Sequence, residues 1–195
     1  PLFNYHYWNK PVPPFGDPAA WLLIIGLAPG AQGANRTGKP FQGDAAGDLL
    51  YAALHDTGFS NLPAYQDGEG PEIELQGAFI TNAVRCVPPE NRPTAEEFAA
   101  CRPYIEETLR VPTLTDILVV GRDAYSQFCK AHKQKGGPDF KHGMSCELGR
   151  FRVHCCYHTS RYNQNTGRIS KDDVVTILNK IKQKREKWIS QLTQA

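Results

Sequence analysis

The chain has 195 residues, of which 41% are hydrophobic and 22% are charged, a balance typical of a folded domain with a sizeable core. Its longest apolar run has eight residues, from Trp21 to Ala28, and is too short to span a bilayer because a spanning helix needs about 20. Residues 1–120 carry 7 basic and 14 acidic side chains, whereas residues 121–195 carry 15 and 6. The composition therefore excludes a membrane-embedded or disordered chain, and the basic second part indicates a polyanionic partner.

The beginning of the chain differs from that of a complete coding sequence. The only methionine is Met144, and the first residue is Pro1. We expect that residues 1–195 form one domain, because domains of this length are common. We also expect that the natural N-terminal segment, with any targeting peptide, is missing.

Strand-like and helix-like segments alternate along the chain. Four apolar runs predict buried parallel strands, namely Trp21–Ala28, Ala78–Val84, Asp116–Gly121 and Phe151–Tyr157. Helices are predicted over Ala46–Thr57, from the Thr94-x-x-Glu97 capping box to about Leu109, over Asp123–His132 and over Ser170–Leu192. The alternation predicts an α/β domain with a mostly parallel sheet, whose ligand would lie beyond the carboxyl ends of the strands.

The loop after the first predicted strand is rich in glycine. Gly33 and Gly38 enclose four residues and Lys39 follows them, which nearly completes a Walker A phosphate-binding loop. The next position should be Ser or Thr to hold magnesium, but Pro40 offers neither a hydroxyl nor an N–H. A phosphate-transferring enzyme is therefore the weakest of the functional hypotheses.

Polar segments follow the second and fourth predicted strands. Asn82 could read the edge of a base or simply cap a turn. Residues 158–168 are dense in amides, hydroxyls and arginines, a composition that suits either a DNA-contacting loop or a solvated one. The last helix is basic and could contact phosphates or face water. Its cations are Lys180, Lys182, Lys184, Arg185 and Lys187.

The six cysteines form no C-x-x-C pair, and two of them, Cys155 and Cys156, are adjacent. Adjacent cysteines rarely form a disulfide, so the pattern favours reduced, mostly buried thiols in the cytosol. Cys86 and Cys101 stand apart because they flank a proline-rich loop and could share one metal.

Five groups of residues resemble the family-5 (type b) uracil-DNA glycosylases of bacteria and archaea. They are Gly26-Leu-Ala-Pro, Gly33-x-Asn-Arg-Thr-Gly38 with Phe41-x-Gly-Asp44, Ile80-Thr-Asn-Ala-Val-Arg-Cys-x-Pro-Pro89, His158-x-Ser160, and Gln164-Asn-Thr-Gly-Arg168. The motifs occur in the family's order and spacing, and the resemblance extends from about Tyr7 to Ile181, most of the chain.

The resemblance implies a three-layer αβα sandwich with a central, mostly parallel four-stranded sheet. It also implies a monofunctional glycosylase that hydrolyses the N-glycosidic bond of uracil, and of other deaminated bases such as hypoxanthine, after the base is flipped out of DNA. Asp44 and His158 match the family's catalytic positions. The base-binding positions correspond to Gly26, Ala28, Phe41 and Asn82. The alternative hypothesis is a catalytically impaired relative that uses the same pocket only to bind nucleic acid.

The resemblance also implies partners and a location. The expected DNA-binding residues are Ser160, Arg161, Tyr162, Gln164, Asn165 and Arg168, among which Arg161 and Tyr162 are candidates for the wedge that fills the space of the flipped base. We expect a cytoplasmic monomer that acts on uracil-containing DNA at the nucleoid of a bacterium or archaeon, without a membrane partner.

A structural 4Fe-4S cluster is implied by the same family. Cys86 and Cys101 match the second pair of its four cysteine ligands. The first pair is expected upstream of Pro1, in an N-terminal segment whose absence the lack of an initiator methionine indicates. The alternative is that the protein has lost the cluster.

Overall fold

A computed structural model describes residues 7–67, 71–133 and 137–192. The strands are β1 (Phe15–Gly16), β2 (Leu22–Gly26), β3 (Ala78–Asn82), β4 (Asp116–Val120), β5 (Ser145–Leu148) and β6 (Phe151–Cys156). The helices are α1 (Ala34–Thr37), α2 (Ala45–Asp56), α3 (Ala95–Thr108), α4 (Arg122–Ala131), α5 (Arg161–Asn165) and α6 (Lys171–Leu192). A short 3₁₀ turn covers Pro89–Asn91.

The strands form one sheet in the order β1-β3-β2-β4-β6-β5. The inner four are parallel, which confirms the predicted strands and the α/β class. Both edge strands run antiparallel to their neighbours, so the sheet has six strands and the prediction of four is incomplete. Gly26 pairs with Asn82 at the carboxyl ends of β2 and β3, and this register brings the segments after both strands to one edge of the sheet.

The two edge strands escaped prediction for different reasons. β1 has only two residues, too few to show a period of two. β5 pairs with β6 across a two-residue loop that begins at Gly149, whose φ of 58° lies in the left-handed region favoured in tight hairpins. The glycine is a turn signal that the sequence does carry, but the half-buried residues of β5 form no apolar run.

Alternation along the inner strands divides the apolar core between the two faces of the sheet. Leu22 and Ile24 of β2 point into a cluster with the apolar sides of α2 and α6. Leu23 and Ile25 point into a second cluster that contains Ile105 of α3 and other residues of α3 and α4. Helices thus cover both faces, and the three-layer αβα sandwich is confirmed.

The helix boundaries follow their caps. α2 begins after Asp44, whose carboxylate accepts hydrogen bonds from two backbone N–H groups of the first turn. The capping box predicted at Thr94 and Glu97 is present at the start of α3. The short helices α1 and α5 lie in segments that the sequence predicted as loops, because four or five residues show no helical period.

A hydrogen-bonded network lies at the amino end of the sheet, where β4 begins. Asp116 is fully buried and accepts bonds from Arg152 Nε to Oδ1 at 2.9 Å and from Arg152 Nη2 to Oδ2 at 2.6 Å. His154 Nε2 lies 3.1 Å from Oδ1, and Thr115 Oγ1 donates to Oδ2 at 2.9 Å. Burial alone would raise the pKa of Asp116, but the bonds from His154, Arg152 and Thr115 outweigh it and hold the pKa below its usual value.

The basic helix α6 reaches this same end of the sheet. Arg185 donates to Thr115 Oγ1 at 3.0 Å, and its guanidinium lies 4.2 Å from the centroid of a ring of Trp21. Lys182 donates to the carbonyl of Thr57 at 2.8 Å. These two cations therefore take part in tertiary contacts. No helix within the described ranges is both long enough and apolar enough to cross a bilayer.

Candidate functional site

A cavity of about 170 Å³ opens at the carboxyl end of the parallel sheet. Its lining includes Ala28, Phe41, Asp44, Asn82 and His158. These residues come from the ends of β2 and β3, the glycine-rich loop, and the segment after β6, as expected for a ligand site in a sheet of this kind. The structure thus brings together five residues that the sequence predicted to share a site.

Phe41 lies against Gly26 in a backbone conformation that few side chains adopt. Its φ is 58°, although it is not a glycine. A Cβ atom on Gly26 would lie 2.5 Å from the ring of Phe41 and 2.4 Å from Asn82 Oδ1, so only glycine fits beneath both side chains. A Cβ on Gly47 of α2 would lie 1.5 Å from the Phe41 carbonyl oxygen. Two glycines therefore fix the aromatic ring against the cavity.

Asn82 ends β3 and is only 5% exposed. Its Oδ1 atom is buried, and none of the described residues donates a hydrogen bond to it. An unpaired buried carbonyl oxygen typically costs about 1–3 kcal/mol, so a protein that keeps one at a cavity has a use for it. Asn82 is therefore ready to accept a hydrogen bond from a ligand.

Asp44 caps helix α2 and also lines the cavity. Its Oδ1 atom accepts hydrogen bonds from the N–H groups of Ala46 and Gly47, both at 3.0 Å, as the N-cap of α2. A Cβ atom on Gly30 or Gly33 would lie 2.8 Å or 2.2 Å from Oδ2. The glycines of this loop thus leave room for a carboxylate that faces the cavity at the positive end of a helix.

His158 lines the cavity, and one hydrogen bond defines its neutral tautomer. The backbone N–H of Ser160 donates to His158 Nδ1 at 3.1 Å, so the neutral ring carries its proton on Nε2. Burial lowers the pKa of His158, and the carboxylates of Asp44 and Asp123 oppose this shift only in part. At neutral pH the ring is therefore uncharged and acts as a hydrogen-bond donor through Nε2.

The segment after His158 folds into α5 and lies at the rim. Ser160 caps α5 by accepting from Asn163 N at 3.4 Å. Tyr162 is 69% exposed, and Arg161 and Asn165 are exposed beside it. Arg168 is exposed and its guanidinium lies 5.4 Å from the ring centroid of Tyr157.

Gln164 differs from its neighbours on α5 because its side chain is turned inward. Its Nε2 atom donates to the carbonyls of Ala45 at 2.8 Å and Thr159 at 2.6 Å. The structure thus places the exposed residues of α5 at the surface and joins Gln164 to the body of the protein.

Cys86 and Cys101 lie outside the cavity, on the segment after β3 and on α3. Burial raises the pKa of the Cys86 thiol, and the nearby charges of Cys101 and Glu97 raise it further. Within residues 7–67, 71–133 and 137–192, no three His, Cys, Asp or Glu side chains are grouped as a metal site.

The donors around the two cysteines fit half of a cluster site. The Nε atoms of Arg85 and Arg102, each one residue from a cysteine, are buried without a described hydrogen-bond partner. Unpaired N–H donors suit the sulfur atoms of an iron–sulfur cluster, which accept hydrogen bonds, and two thiolates are half of its usual four.

Seven residues of the cavity lining were not predicted as site residues, and two of them come from a segment that the sequence did not place at the site. Pro88 and Asn91 reach the cavity from the turn after β3. Glu90 and Asn91 both have left-handed backbones, with φ of 53° and 57°, and Arg92 N closes the turn on Pro89 O at 3.0 Å. The consecutive prolines and Asn91 signal a turn, but nothing in the sequence shows that the turn faces the cavity.

The fold and the cavity together define an α/β protein with a small pocket, lined by both polar and apolar groups, at the carboxyl end of its sheet. The sequence model of the uracil DNA glycosylase superfamily matches residues 13–182, and the chain belongs to this superfamily.

Among its relatives are type-5 uracil-DNA glycosylases. The chain is 43% identical to the enzyme from Thermus thermophilus over 176 residues, which cover 88% of this chain and 79% of the relative. It is 38% identical to the enzyme from Pyrobaculum aerophilum over 175 residues, or 90% and 76% of the two chains. A type-4 uracil-DNA glycosylase from the same archaeon is 35% identical over 122 residues, which cover 62% of this chain and 53% of the relative. These findings confirm the family resemblance seen in the motifs.

Proposed function

We propose that this chain is a monofunctional uracil-DNA glycosylase of base excision repair, which hydrolyses the bond between uracil and deoxyribose and leaves an abasic site. One observation carries the proposal: a single cavity holds an unpaired amide oxygen, an aromatic ring, a neutral imidazole donor and a carboxylate. Each of the four groups corresponds to one requirement of the reaction.

Base recognition is assigned to Asn82 and Phe41. Uracil presents an N3–H donor beside the O4 acceptor, so Asn82 Oδ1 accepts from N3–H and Asn82 Nδ2 donates to O4. Cytosine carries an acceptor at N3 and an amino group at C4, and would face the same amide with both polarities reversed. The ring of Phe41 stacks on the flipped base, which is worth about 1–3 kcal/mol. Deamination of adenine creates the same N–H and carbonyl edge, so hypoxanthine belongs to the proposed substrate range.

Bond cleavage is assigned to His158 and Asp44. When the N-glycosidic bond breaks, its electron pair leaves with uracil and the sugar becomes a cation. His158 Nε2–H donates to O2 of the departing anion, and a preorganised donor of this kind contributes about 2.7–4 kcal/mol. The Asp44 carboxylate stabilises the sugar cation and orients the water that adds to C1′, with loss of a proton to solvent.

DNA contact is assigned to the rim formed by α5. The target base must leave the stack before it can enter the cavity, which costs a few kcal/mol. Tyr162 and Arg161 are exposed beside the cavity and fill the vacated space in the duplex. Ser160, Asn165 and Arg168 contact the backbone, which holds the strand against the rim.

The proposal includes a 4Fe-4S cluster with a structural role, for which Cys86 and Cys101 supply two thiolates. When bound, such a cluster cross-links its cysteines and thereby fixes the turn after β3 relative to α3. Arg85 supports this assignment, because its guanidinium lies 4.2 Å from the ring centroid of Tyr104, which is one helical turn after Cys101. We further propose that the protein acts as a monomer, since one chain supplies every group of the cavity. Its substrate is DNA and the named relatives come from bacteria and archaea, so the proposed location is the cytoplasm, at the nucleoid.

Single-turnover release of uracil from a duplex oligonucleotide with one deoxyuridine tests the proposal. The substitution Asp44→Asn keeps the N-cap of α2, because Asn caps as well as Asp, but removes the charge. We expect its rate to fall by about 10²–10³-fold. Asp173→Asn is the matched control, since Asp173 also accepts a backbone hydrogen bond at a helix N-terminus, from Ser170 at 2.8 Å, but lies outside the cavity lining.

The outcome also separates the proposed enzyme from a relative that only binds nucleic acid. An enzyme releases uracil, and Asp173→Asn retains the rate that Asp44→Asn loses. Salt-dependent binding of DNA by the wild-type protein without any release of uracil or hypoxanthine would overturn the proposal in favour of the binding protein.

A further inference from the structure

The first turn of α2, residues 45–47, contacts three parts of the proposed active site. Its N–H groups hold the Asp44 carboxylate, as described above. Gly47 packs against the backbone of Phe41 so closely that no side chain fits between them. The carbonyls of Ala45 and Ala46 accept hydrogen bonds from the segment that carries His158. One helical turn therefore contacts the segments that carry Phe41, Asp44 and His158 and fixes their relative positions.

Gln164 makes the longest-range of these contacts. Its carboxamide donates to Ala45 O and to Thr159 O, and so it bridges α2 and the residue after His158, across 119 positions of sequence. A carboxamide nitrogen has two hydrogens, and here both have carbonyl acceptors. The amide nitrogen is thus fully used inside the protein and has no donor left for a phosphate or a base.

The neighbouring bonds fix the orientation of His158 itself. Thr159 Oγ1 donates to Ala46 O at 2.9 Å, and Asn163 Nδ2 donates to the carbonyl of His158 at 2.7 Å. The Ser160 N–H bond to Nδ1 then sets the ring and its tautomer. Without the bridge from Gln164, the hydroxyl of Thr159 would be the remaining side-chain bond between this segment and the first turn of α2 among those described.

We propose that Gln164 is a positioning residue, which holds His158 at a fixed place relative to Asp44, rather than a DNA contact as its sequence motif predicts. The inference rests on the proposed glycosylase function, because the placement matters only if both groups act on one substrate. A displacement of about 1 Å of a catalytic group can cost 10²-fold in rate, so a small loosening has a large effect on the chemical step.

The substitutions Gln164→Ala and Thr166→Ala form a matched pair, because each removes side-chain hydrogen bonds at α5, but the hydroxyl of Thr166 bonds only carbonyls of α5 itself. We expect Gln164→Ala to lower the single-turnover rate at saturating enzyme by about 10²-fold, while its Kd for duplex DNA changes less than about threefold. Thr166→Ala should retain the single-turnover rate. If Gln164→Ala does not fold, Thr159→Val removes a hydroxyl bond to the same turn and should lower the rate in the same direction.

Titration of His158 by NMR gives a readout that does not depend on catalysis. Burial holds the pKa of His158 below its usual value, so a loosened segment lets water in and should move the pKa upwards, towards 6.5. Thr166→Ala should leave the pKa of His158 unchanged. A Gln164→Ala protein with weaker DNA binding, an unchanged rate and an unchanged His158 pKa would overturn the inference. A wild-type protein that releases no uracil would refute the proposed function, whereas the titration would still decide whether Gln164 holds His158.

Discussion

The buried polar groups at the two ends of the parallel sheet differ in whether their hydrogen bonds are satisfied. At the amino end, both carboxylate oxygens of Asp116 are hydrogen-bonded, by Arg152, His154 and Thr115. At the carboxyl end, the amide oxygen of Asn82 is nearly as buried and has no described donor. A satisfied network stabilises the fold, whereas an unsatisfied group lowers stability until a ligand satisfies it.

The difference separates residues that fold the protein from residues that act on a ligand. Both ends contain a buried carboxylate or amide and a histidine whose pKa is lowered by burial, His154 at one end and His158 at the other. Residue type and burial therefore do not distinguish them. The partners do: His154 lies between Ser145 and Asp116, while His158 accepts one bond at Nδ1 and lines the cavity.

The largest expected effect is a loss of stability when the hydrogen-bonded network of Asp116 is disrupted. Asp116→Ala leaves Arg152 and the surrounding donors without their acceptor, and removal of one partner of a buried pair typically costs 3–5 kcal/mol. We expect the free energy of unfolding, measured by urea titration, to fall by about this amount. Asp172→Ala, an exposed carboxylate in the first turn of α6, should cost less than about 1 kcal/mol. Equal losses of unfolding free energy in the two variants would show that the buried network of Asp116 does not stabilise the fold more than an exposed carboxylate does.

Asn82→Ala should give the reverse result at the carboxyl end. The lost Oδ1 has no hydrogen bond to lose, so unfolding should change by less than about 1 kcal/mol, while uracil release should fall by about 10²–10³-fold. Asn61→Ala is the control, because the Asn61 side chain bonds Glu72 O and Glu74 N away from the cavity. Asn61→Ala should lower the free energy of unfolding and keep the rate of uracil release. If both variants lost the same property, the distinction between residues that stabilise the fold and residues that act on the ligand would be refuted.

Features set by a few neighbouring residues, such as strands and helix caps, could be predicted from the sequence, whereas the properties of the site could be predicted only in part. The four inner strands follow from apolar runs, and the start of α3 follows from Thr94 and Glu97, because these signals act over a few residues. The position of Asn82 at a strand end also follows from the sequence. Its unpaired oxygen does not, because that depends on every group packed around it.

Long-range placement explains the remaining failures. Nothing local to Gln164 indicates that its amide reaches Ala45, and the same composition fits a surface loop. The left-handed backbone of Phe41 depends on the absence of a side chain at Gly26 and Gly47, which lie on other elements. The family motifs identify such residues as important, but only the structure shows which of them point inward.

A smaller effect on uracil release is expected from the rim formed by α5, which belongs neither to the core nor to the cavity lining. Tyr162 is 69% exposed, so Tyr162→Ala should not change the free energy of unfolding measurably. If its ring replaces the flipped base in the stack, release of uracil from duplex DNA should fall about tenfold, in line with stacking of 1–3 kcal/mol. Release from single-stranded DNA should be unaffected, since it has no stack to refill. An equal loss on both substrates would show that Tyr162 acts in binding or chemistry and not as a wedge.

The smallest expected effect is a displacement of the pH profile. His158 must be neutral to donate from Nε2 without a charge, and its pKa lies below 6.5, so release should stay constant as the pH falls to 6.5 and decline only below it. Asp123 favours the protonated ring, and Asp123→Asn should therefore lower the pKa of His158 further. The acid limb of the profile should move to lower pH by a few tenths of a unit, about the size expected for one exposed charge. Asp139→Asn, an exposed carboxylate that does not act on His158, should leave the limb in place. A shift to higher pH in Asp123→Asn would mean that the protonated ring, and not the neutral one, supports the departing base.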